Sequence, residues 1–207
     1  MVKWKKFVGG MLETNTYLLY QPGNGSGLVI DPGFPCSELL SFARQQKIEL
    51  RAILLTHGHL DHCGGASWLQ AELKLPLLVA AADAHMLQPE YSRDLAVMLG
   101  VQPPPAPDRL LSDGEELSDL GFSLRIMATP GHSPGSLVFL MEGLAFTGDT
   151  LFQGNVGRCD LPGGDEKTLF ESLERLRRLP GETLVFPGHG PESTMALELR
   201  HNPYLER

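Results

Sequence analysis

The sequence predicts an α/β fold in which two mixed β-sheets pack face to face, with helices on their outer faces. Two observations favour this αββα sandwich. Short apolar runs bounded by Gly and Pro alternate with longer segments in which apolar residues recur at helical spacing. In addition, a buried strand leads twice into a Pro-Gly-His turn, in residues 129–136 and again in residues 186–193. Two halves of similar organisation favour two sheets over one.

The first half of the chain predicts strands interleaved with helices. Its predicted strands are the apolar runs at residues 15–20, 28–33, 51–55 and 75–81. Helical spacing predicts one helix over residues 37–47, capped by Ser37, and another over residues 64–73. A weaker helical pattern follows over residues 83–100.

The second half predicts strands followed by helices. Its predicted strands span residues 122–132, 136–143, 144–150 and 183–190. Helices are predicted over residues 166–179 and 194–205. The Pro-rich stretch at residues 103–107 predicts a stiff extended loop and not a domain linker, because strand patterns resume on both sides of it. The sequence therefore predicts a single domain over residues 1–207.

Composition and charge restrict the class of protein. The 207 residues are 42% hydrophobic and 20% charged, which suits a globular domain with a substantial core. The formal net charge of -8 argues against a nucleic-acid partner, because proteins that bind nucleic acids usually present a basic face. No apolar run approaches bilayer length, and the basic N-terminal segment lacks the apolar core of a signal peptide. With three widely spaced cysteines, these features predict a cytoplasmic protein with reduced thiols and no membrane partner. They leave the oligomeric state open.

The run T-H-G-H-L-D-H, from Thr56 to His62, contains three of the seven histidines of the chain. In an extended segment side chains alternate in direction, so His57, His59 and Asp61 can point the same way while His62 points elsewhere. One loop can therefore supply ligands to two neighbouring positions. His57 and His59 would serve one position, and Asp61 and His62 would serve the other. Imidazole and carboxylate are the ligand types expected for zinc, iron or manganese. The sequence predicts a metal site here.

Three further residues are candidates to complete this site. His132, Asp149 and His189 each follow a predicted strand directly and lie on a turn that contains glycine. Each would be unremarkable alone, but together they lie at the same end of successive strands. By contrast, His85 and His201 lie in helical segments without such neighbours, and we interpret both as ordinary surface or packing residues.

The set of motifs formed by H-x-H-x-D-H, "TPGHSPGS", "FTGDTLF" and "VFPGHGP" resembles the metallo-β-lactamase superfamily. The resemblance extends from "VIDPG" to "GHGPES", which is nearly the whole chain, and implies an αββα sandwich with a metal site at one edge of the two sheets. It implies a first metal ion held by His57, His59 and His132. It implies a second metal ion held by Asp61, His62 and His189, with Asp149 bridging the two ions.

Within the superfamily, "GDTLFQGNVGRCDLPGGD" and "PGHGPESTMALELRHNPYL" are similar to short bacterial members of the glyoxalase II group. This resemblance implies hydrolysis of hydroxyacylglutathione thioesters, such as S-lactoylglutathione to lactate and glutathione. The implied cofactors are two divalent ions, zinc first with iron or manganese as alternatives, that share a hydroxide nucleophile. Asp61 and Asp149 are then the catalytic carboxylates. Longer members carry a further C-terminal helical region that helps bind glutathione, so we expect a permissive thiol site here.

Two more residues are assigned supporting roles. Asp31, at the end of "VIDPG", resembles the aspartate that orients a metal-bound histidine in the superfamily, and the alternative is an aspartate that caps the turn before Pro32. Arg158 could bind a glutathione carboxylate through two parallel hydrogen bonds. The alternative for Arg158 is a surface ion pair with Asp160 or Asp165.

Several other functions fit the same motifs to different degrees. A mononuclear iron persulfide dioxygenase of this fold retains most of these residues, and another small-molecule hydrolase is equally compatible with them. A β-lactamase is disfavoured by the absence of an export signal and by an aspartate at position 149. A nuclease is disfavoured by the acidic charge, and a non-catalytic metal-binding protein stays an outside alternative. Residues 88–107 are expected to border the active-site cleft, without assigned roles.

Overall fold

The computed structural model of the protein describes residues 2–23 and 25–206, so residues 1, 24 and 207 of the predicted domain lie outside the described part. The first of two six-stranded sheets contains, in spatial order, β1 (Lys3–Gly9), β2 (Thr14–Tyr20), β3 (Ser26–Ile30), β4 (Glu49–Leu54), β5 (Leu77–Ala80) and β6 (Arg109–Leu111). The strands β1 to β3 pair antiparallel, and β3 to β6 pair parallel. Parallel pairing brings the carboxyl ends of β3, β4 and β5 to one edge.

The second sheet is built from the other half of the chain. Its strands along the chain are β7 (Glu116–Leu117), β8 (Leu124–Ala128), β9 (Leu137–Met141), β10 (Leu144–Gly148), β13 (Leu184–Pro187) and β14 (Ser193–Thr194). Their spatial order is β14-β13-β10-β9-β8-β7, and only the β10–β13 pair is parallel among the described pairings of this sheet. A small hairpin of β11 (Leu151–Phe152) and β12 (Asn155–Val156) follows β10.

Helices cover the outer face of each sheet. They are α1 (Ser37–Gln45), α2 (Leu60–Cys63), α3 (Ala66–Leu73), a 3-10 helix (Ala81–Leu87), α4 (Pro89–Leu99), α5 (Glu166–Leu176) and α6 (Met195–His201). Apolar residues of α1, α3 and α4 pack on the first sheet, whereas those of α5 and α6 pack on the second. Within the described ranges, no helix combines the length and apolarity needed to cross a bilayer.

A central apolar layer joins the two sheets. Leu28 from the first sheet and Phe139 from the second are both fully buried in one cluster. Phe146 and Phe186 of neighbouring strands stack with ring centroids 4.8 Å apart, and Tyr17 meets both rings edge-on. The Tyr17 hydroxyl donates a hydrogen bond to the Pro187 carbonyl at 2.8 Å, so its buried polar end is satisfied. The two sheets are thus fixed relative to one another by contacts between the middle of β2 and the end of β13.

The predicted αββα sandwich is confirmed, with differences in detail. Ser37 is not the cap of α1: it is the first helical residue, and Cys36 precedes it without a side-chain hydrogen bond to the helix. The helix predicted over 64–73 begins at Ala66, because the short α2 intervenes after the histidine run. The strand β1 lacks a sequence prediction, since its lysines weaken the apolar pattern, as is usual for an edge strand.

Candidate metal centre

The seven predicted metal ligands all follow the ends of strands at one edge of the sandwich. The run from Thr56 to His62 follows β4 of the first sheet. In the second sheet, His132 follows β8, Asp149 follows β10 and His189 follows β13. The two halves of the chain therefore contribute to a single cluster.

Three histidines form the first ligand group, which we call the three-histidine group: His57, His59 and His132. One nitrogen from each lies within 4.8 Å of the other two. His59 Nδ1 is 2.8 Å from His132 Nε2. His57 and His132 are buried, and His59 is half-buried. Three converging imidazole nitrogens at this spacing are able to hold one divalent ion.

A second ligand group, the mixed group, contains Asp61, His62 and His189. Their ligand atoms also lie within 4.8 Å of one another. The Nε2 atoms of His62 and His189 are 3.2 Å apart, and Asp61 Oδ2 is 3.5 Å from His62 Nε2 and 3.3 Å from His189 Nε2. One carboxylate and two imidazoles are a second set of ligands suited to a divalent ion.

Asp149 lies between the two groups. Its Oδ1 atom is 3.4 Å from His62 Nε2 in the mixed group. Its Oδ2 atom is 3.6 Å from His132 Nε2 in the three-histidine group, and also 3.6 Å from His189 Nε2. A single carboxylate therefore has one oxygen close to each group, as a bridging ligand requires.

Two buried atoms in this cluster lack a hydrogen-bond partner within the described part of the chain: His57 Nε2 and Asp149 Oδ1. A buried polar atom left unpaired costs about 1–3 kcal/mol, so such atoms call for an explanation. Both are lone-pair donors directed into the cluster of potential ligands, and both are explained by coordination to a metal ion. The residues present therefore fit divalent metal ions.

Hydrogen bonds on the far side of two histidines fix which nitrogen faces the cluster. His132 Nδ1 is 2.8 Å from the Arg158 carbonyl oxygen, and His189 Nδ1 is 3.0 Å from the Leu12 carbonyl oxygen. A carbonyl only accepts hydrogen bonds, so each Nδ1 carries the proton. When the ring is neutral, its lone pair is then on Nε2, facing the centre.

Asp31 forms hydrogen bonds at both ends of the run from Thr56 to His62. Its Oδ1 accepts a hydrogen bond from the Thr56 amide at 2.7 Å, and its Oδ2 accepts one from the Thr56 hydroxyl at 2.6 Å. The Thr56 hydroxyl has a single proton, so it accepts from His57 Nδ1 at 3.0 Å and leaves His57 Nε2 unprotonated. His62 Nδ1 lies 3.1 Å from Asp31 Oδ2. The contact that its predicted role needs is present, and the role itself stays a prediction.

The backbone at Asp31 adopts a left-handed conformation, with φ of 50°. Few residues other than glycine adopt this conformation, and they are mainly Asn, Asp and His. The residue before a proline also prefers extended backbone, so this conformation is strained twice. Such strain persists where the surroundings determine the geometry, which fits a carboxylate held by three donors at a functional site.

Asp83 is a site-supporting residue that the sequence did not reveal. This fully buried carboxylate accepts hydrogen bonds from the Gly58 amide at 2.9 Å, the Ser133 hydroxyl at 2.7 Å and the Gly135 amide at 2.6 Å. It therefore connects the loop that carries His57 to the loop that carries His132. A single aspartate in a weak helical pattern gives no sequence signal for this function.

Glycine at position 188 is explained by the crowding of the centre. A Cβ atom there would collide with Asp149 Oδ1 and would lie 2.5 Å from His62 Cε1. Only glycine lets the Pro-Gly-His turn deliver His189 without displacing either ligand. The sequence motif is thus a packing requirement of the centre.

The two ligand groups have opposite acid–base properties. Burial, followed by the neighbouring imidazoles, lowers the pKa of His57 well below its usual value and lowers the pKa of His59 to about 4. Burial also acts to lower the pKa of His62 and His189, but Asp61 and Asp149 outweigh it and raise both pKa values. His57 and His59 thus present neutral nitrogens, whereas His62 and His189 of the mixed group favour the protonated form beside the carboxylates.

The carboxylates respond to those same protons. Burial acts to raise the pKa values of Asp61 and Asp149, yet the charge on His62, followed by hydrogen bonding and the charge on His189, lowers them overall. Both carboxylates are therefore ionised and available as ligands.

The structure does not bring every predicted residue to the centre. The exposed Arg158 guanidinium forms two hydrogen bonds with Asp160, at 2.6 and 2.7 Å, which is the alternative that the sequence left open. Only its carbonyl oxygen reaches the ligands, through His132. His85 and His201 are exposed on their helices and belong to neither ligand group. The segment from 88 to 107 forms α4 and an extended stretch, and part of α4 lies beside His59.

Two similar proteins of known sequence match most of this chain. A probable metallo-hydrolase of Bacillus subtilis, YqgX, is 34% identical over 208 residues, which cover 99% of this chain and 98% of the relative. The hydroxyacylglutathione hydrolase GloC of Haemophilus influenzae is 37% identical over 183 residues, which cover 86% of each protein.

Solved structures agree with the fold. The BLEG-1 B3 metallo-beta-lactamase is 33% identical, with a TM-score of 0.90 over 98% of this chain and 99% of that one. TTHA1623 in a di-iron-bound form is 40% identical, with a TM-score of 0.87 over 97% of this chain and all (100%) of that one. The family model of the metallo-beta-lactamase superfamily matches residues 9–189. With its His and Asp cluster able to bind metal, the chain belongs to the metallo-beta-lactamase superfamily.

Proposed function

We propose that the protein is a dinuclear metallohydrolase that cleaves thioesters of the hydroxyacylglutathione type, such as S-lactoylglutathione. The observation that supports this most directly is the position of Asp149, which has one oxygen near each of two three-residue ligand groups. The similarity to a hydroxyacylglutathione hydrolase, GloC, supports the substrate class. A small-molecule thioester, in the cytoplasm, is the proposed partner, with neither nucleic acid nor membrane involved.

The proposed cofactors are two divalent ions, held by the three-histidine group and the mixed group with Asp149 between them. The nitrogen and oxygen donors suit zinc, and iron or manganese are compatible, as the di-iron form of the similar TTHA1623 illustrates. When bound, such ions would supply a hydroxide at near-neutral pH and would stabilise developing negative charge, so no side-chain nucleophile would be needed.

The chain itself supplies orientation and charge. Asp31 and the carbonyls of Arg158 and Leu12 hold four imidazole rings with their lone pairs inward. Asp61 and Asp149 add negative charge that favours binding of cations. Cys63 lies nearby, but burial raises the pKa of its thiol well above the usual value, and the thiol donates to the His59 carbonyl. Its thiol is thus unsuited to be a nucleophile.

A thioester suits this arrangement because its leaving group is a thiolate. A thiol has a pKa of about 8.5, so its anion leaves without a strong general acid. Esters and amides, whose leaving groups are more basic, would gain less from this centre.

A second candidate function is hydrolysis of β-lactams, favoured by one observation. The B3 metallo-beta-lactamase BLEG-1 is 33% identical across nearly the whole chain. Mononuclear iron persulfide dioxygenase activity is a third candidate because it uses a subset of the same ligands. The three functions differ in substrate and in metal content, so direct assays separate them.

The experiment compares S-lactoylglutathione, a chromogenic cephalosporin and glutathione persulfide as substrates of metal-replete protein. Thioester cleavage is measured by free thiol release, and dioxygenase activity by oxygen consumption. We expect thioester cleavage, and a loss of at least about a thousandfold in His57→Asn. The matched control, His201→Asn, changes an exposed histidine outside the centre and should leave the rate unchanged. Cleavage of the cephalosporin alone, or oxygen consumption without thioester cleavage, would overturn the proposal.

A further inference from the structure

A cavity of about 190 Å³ opens directly beside the three-histidine group. It lies between the His59 loop, the 3-10 helix with α4, and the segment after β12. The side chains that define it are those of His59, Met86, Tyr91, Leu95, Leu161 and Pro162. A candidate ligand residue of the metal centre, His59, and an apolar wall thus border the same space.

The cavity is apolar in character. Within the described part of the chain, its lining includes no lysine, arginine, aspartate or glutamate. The polar Ser92 side chain also lines it, but its hydroxyl donates to the Gln88 carbonyl at 3.1 Å and is satisfied within its own helix. A charged group placed in this cavity would lose hydration without gaining an opposite charge.

Two of the side chains that line the cavity are unusually exposed for their residue type. Tyr91 and Leu95 are 43% and 40% exposed on α4, while Met86 behind them is buried. Burying further apolar area releases about 25 cal/mol per Å², so a ligand that covers these side chains gains free energy. Because the space is continuous with His59, the bound substrate itself is the natural occupant.

We propose that this cavity binds the acyl group of the thioester and selects acyl groups with a compact apolar substituent. The inference rests on the proposed thioester hydrolysis. An apolar cavity of about 150 Å³ holds a benzene molecule, so a phenyl ring or a branched alkyl chain fits the present one. A tripeptide thiol with two carboxylates and an ammonium is too large and too charged for it. The thiol side of the substrate therefore lies elsewhere.

The first test compares two glutathione thioesters that differ only in one substituent. S-mandeloylglutathione carries a phenyl ring where S-lactoylglutathione carries a methyl group, and both have the same 2-hydroxyacyl carbonyl. Each kcat/KM is divided by the rate constant of hydroxide-catalysed hydrolysis in solution, which corrects for intrinsic reactivity. We expect the normalised kcat/KM to favour the mandeloyl thioester at least about tenfold, from the burial of a ring.

Two matched variants on α4 locate the preference. Leu95→Asp places a carboxylate in the lining of the cavity. Tyr91→Ala removes an aromatic ring from the same lining. Both should bring the normalised preference to within about twofold of unity, because the ring then gains little or no apolar contact. Val97→Asp introduces the same charge at a position that is 79% exposed and outside the cavity lining, so it should keep the preference.

Direct binding gives a readout that does not depend on turnover. Phenylacetate, titrated against protein observed by methyl NMR, should shift the Met86 methyl signal, and acetate should not. The shift should be lost in Leu95→Asp and kept in Val97→Asp. Equal normalised rates for the two thioesters, with an unmoved Met86 signal, would overturn this inference while leaving thioester hydrolysis intact. If neither thioester is cleaved, the proposed function fails instead, and the Met86 signal still reports on the cavity.

Discussion

The three-histidine group and the mixed group each take two of their three ligands from the run between Thr56 and His62, yet they differ in charge and protonation. The three-histidine group has imidazoles alone, and the pKa values of His57 and His59 are lowered. The mixed group includes Asp61, and the pKa values of His62 and His189 are raised. A metal ion entering the first group meets free lone pairs on His57 and His59, whereas one entering the second must displace protons from His62 and His189. Neighbouring sites with similar ligands can therefore differ in affinity.

The difference has a structural origin in what surrounds each ring. His62 Nε2 lies within 3.5 Å of two carboxylate oxygens, one from Asp61 and one from Asp149. The ring of His57 instead lies among other imidazoles, with ring centroids 4.8 Å from His59 and His132. Nearby carboxylates stabilise an imidazolium, and nearby imidazoles oppose it. From these neighbours we expect the three-histidine group to bind its metal ion first.

The largest effect is expected from Asp149→Asn, because this change affects both groups at once. It removes the charge and one of the two oxygens from the only carboxylate, among the described residues, that approaches both groups. We expect kcat/KM to fall at least about a hundredfold and the metal content to fall towards one ion per chain. The exposed Asp119→Asn serves as control. Full activity in Asp149→Asn would show that the two groups act independently.

A smaller effect is expected from Asp31→Asn, which acts through ring orientation. The amide keeps the shape of the carboxylate and tolerates the left-handed backbone, but loses the charge that holds His62. We expect metal affinity at the mixed group to fall about 10–100-fold, with a lesser effect at the three-histidine group. Competition with a chromophoric chelator measures both affinities. Equal losses at the two groups would mean that Asp31 acts mainly through Thr56.

Lowering the pH should weaken metal binding at the mixed group relative to the three-histidine group. The expected change in affinity is roughly tenfold per pH unit for each proton that the metal ion displaces. Raised pKa values keep His62 and His189 protonated up to higher pH, so affinity at the mixed group falls as the pH drops through neutrality. The pKa of His59 is about 4, so its nitrogen stays free over the same range. Between about pH 8 and about pH 6, equilibrium dialysis should show loss of one ion before the other. Simultaneous loss of both ions would contradict the assigned difference.

The smallest effect concerns Arg158 and its partner Asp160. If Arg158 binds a glutathione carboxylate, Asp160 competes with that carboxylate for the guanidinium. An exposed ion pair is weak because water screens it, so Asp160→Asn should lower KM only slightly, no more than about threefold, with kcat unchanged. Arg158→Ala should raise KM by a similar factor. Unchanged KM in both variants would assign Arg158 to the surface alone.

The proximity of the seven ligand candidates could be predicted from the sequence. Each one follows a strand directly, so the ends of the strands determine where the side chains meet. The histidine run lies in one short segment, and its spacing alone predicted that His57 and His62 belong to different ligand groups. The two-sheet architecture could be predicted for a related reason, since apolar strands and helical segments follow one another with clear turn residues.

Other features depend on contacts between distant residues and could not be predicted. Asp83 connects loops 25 and 52 residues away, and nothing in its local sequence announces this. The apolar cavity combines Met86 and Leu95 with Leu161, three common residues from separate segments. The partner of Arg158 depended on a choice among nearby acidic residues that local sequence does not resolve. Chemistry is thus encoded in short motifs, whereas substrate selection depends on tertiary packing.

Metal stoichiometry tests the central claim, a dinuclear centre, most directly. The measurement is the metal content of wild-type protein, loaded with zinc, freed of excess ion by gel filtration and analysed by elemental mass spectrometry against amino-acid analysis. The account predicts two ions per chain, one at the three-histidine group and one at the mixed group. One ion per chain under these metal-replete conditions would contradict it and would favour a mononuclear centre of the dioxygenase type.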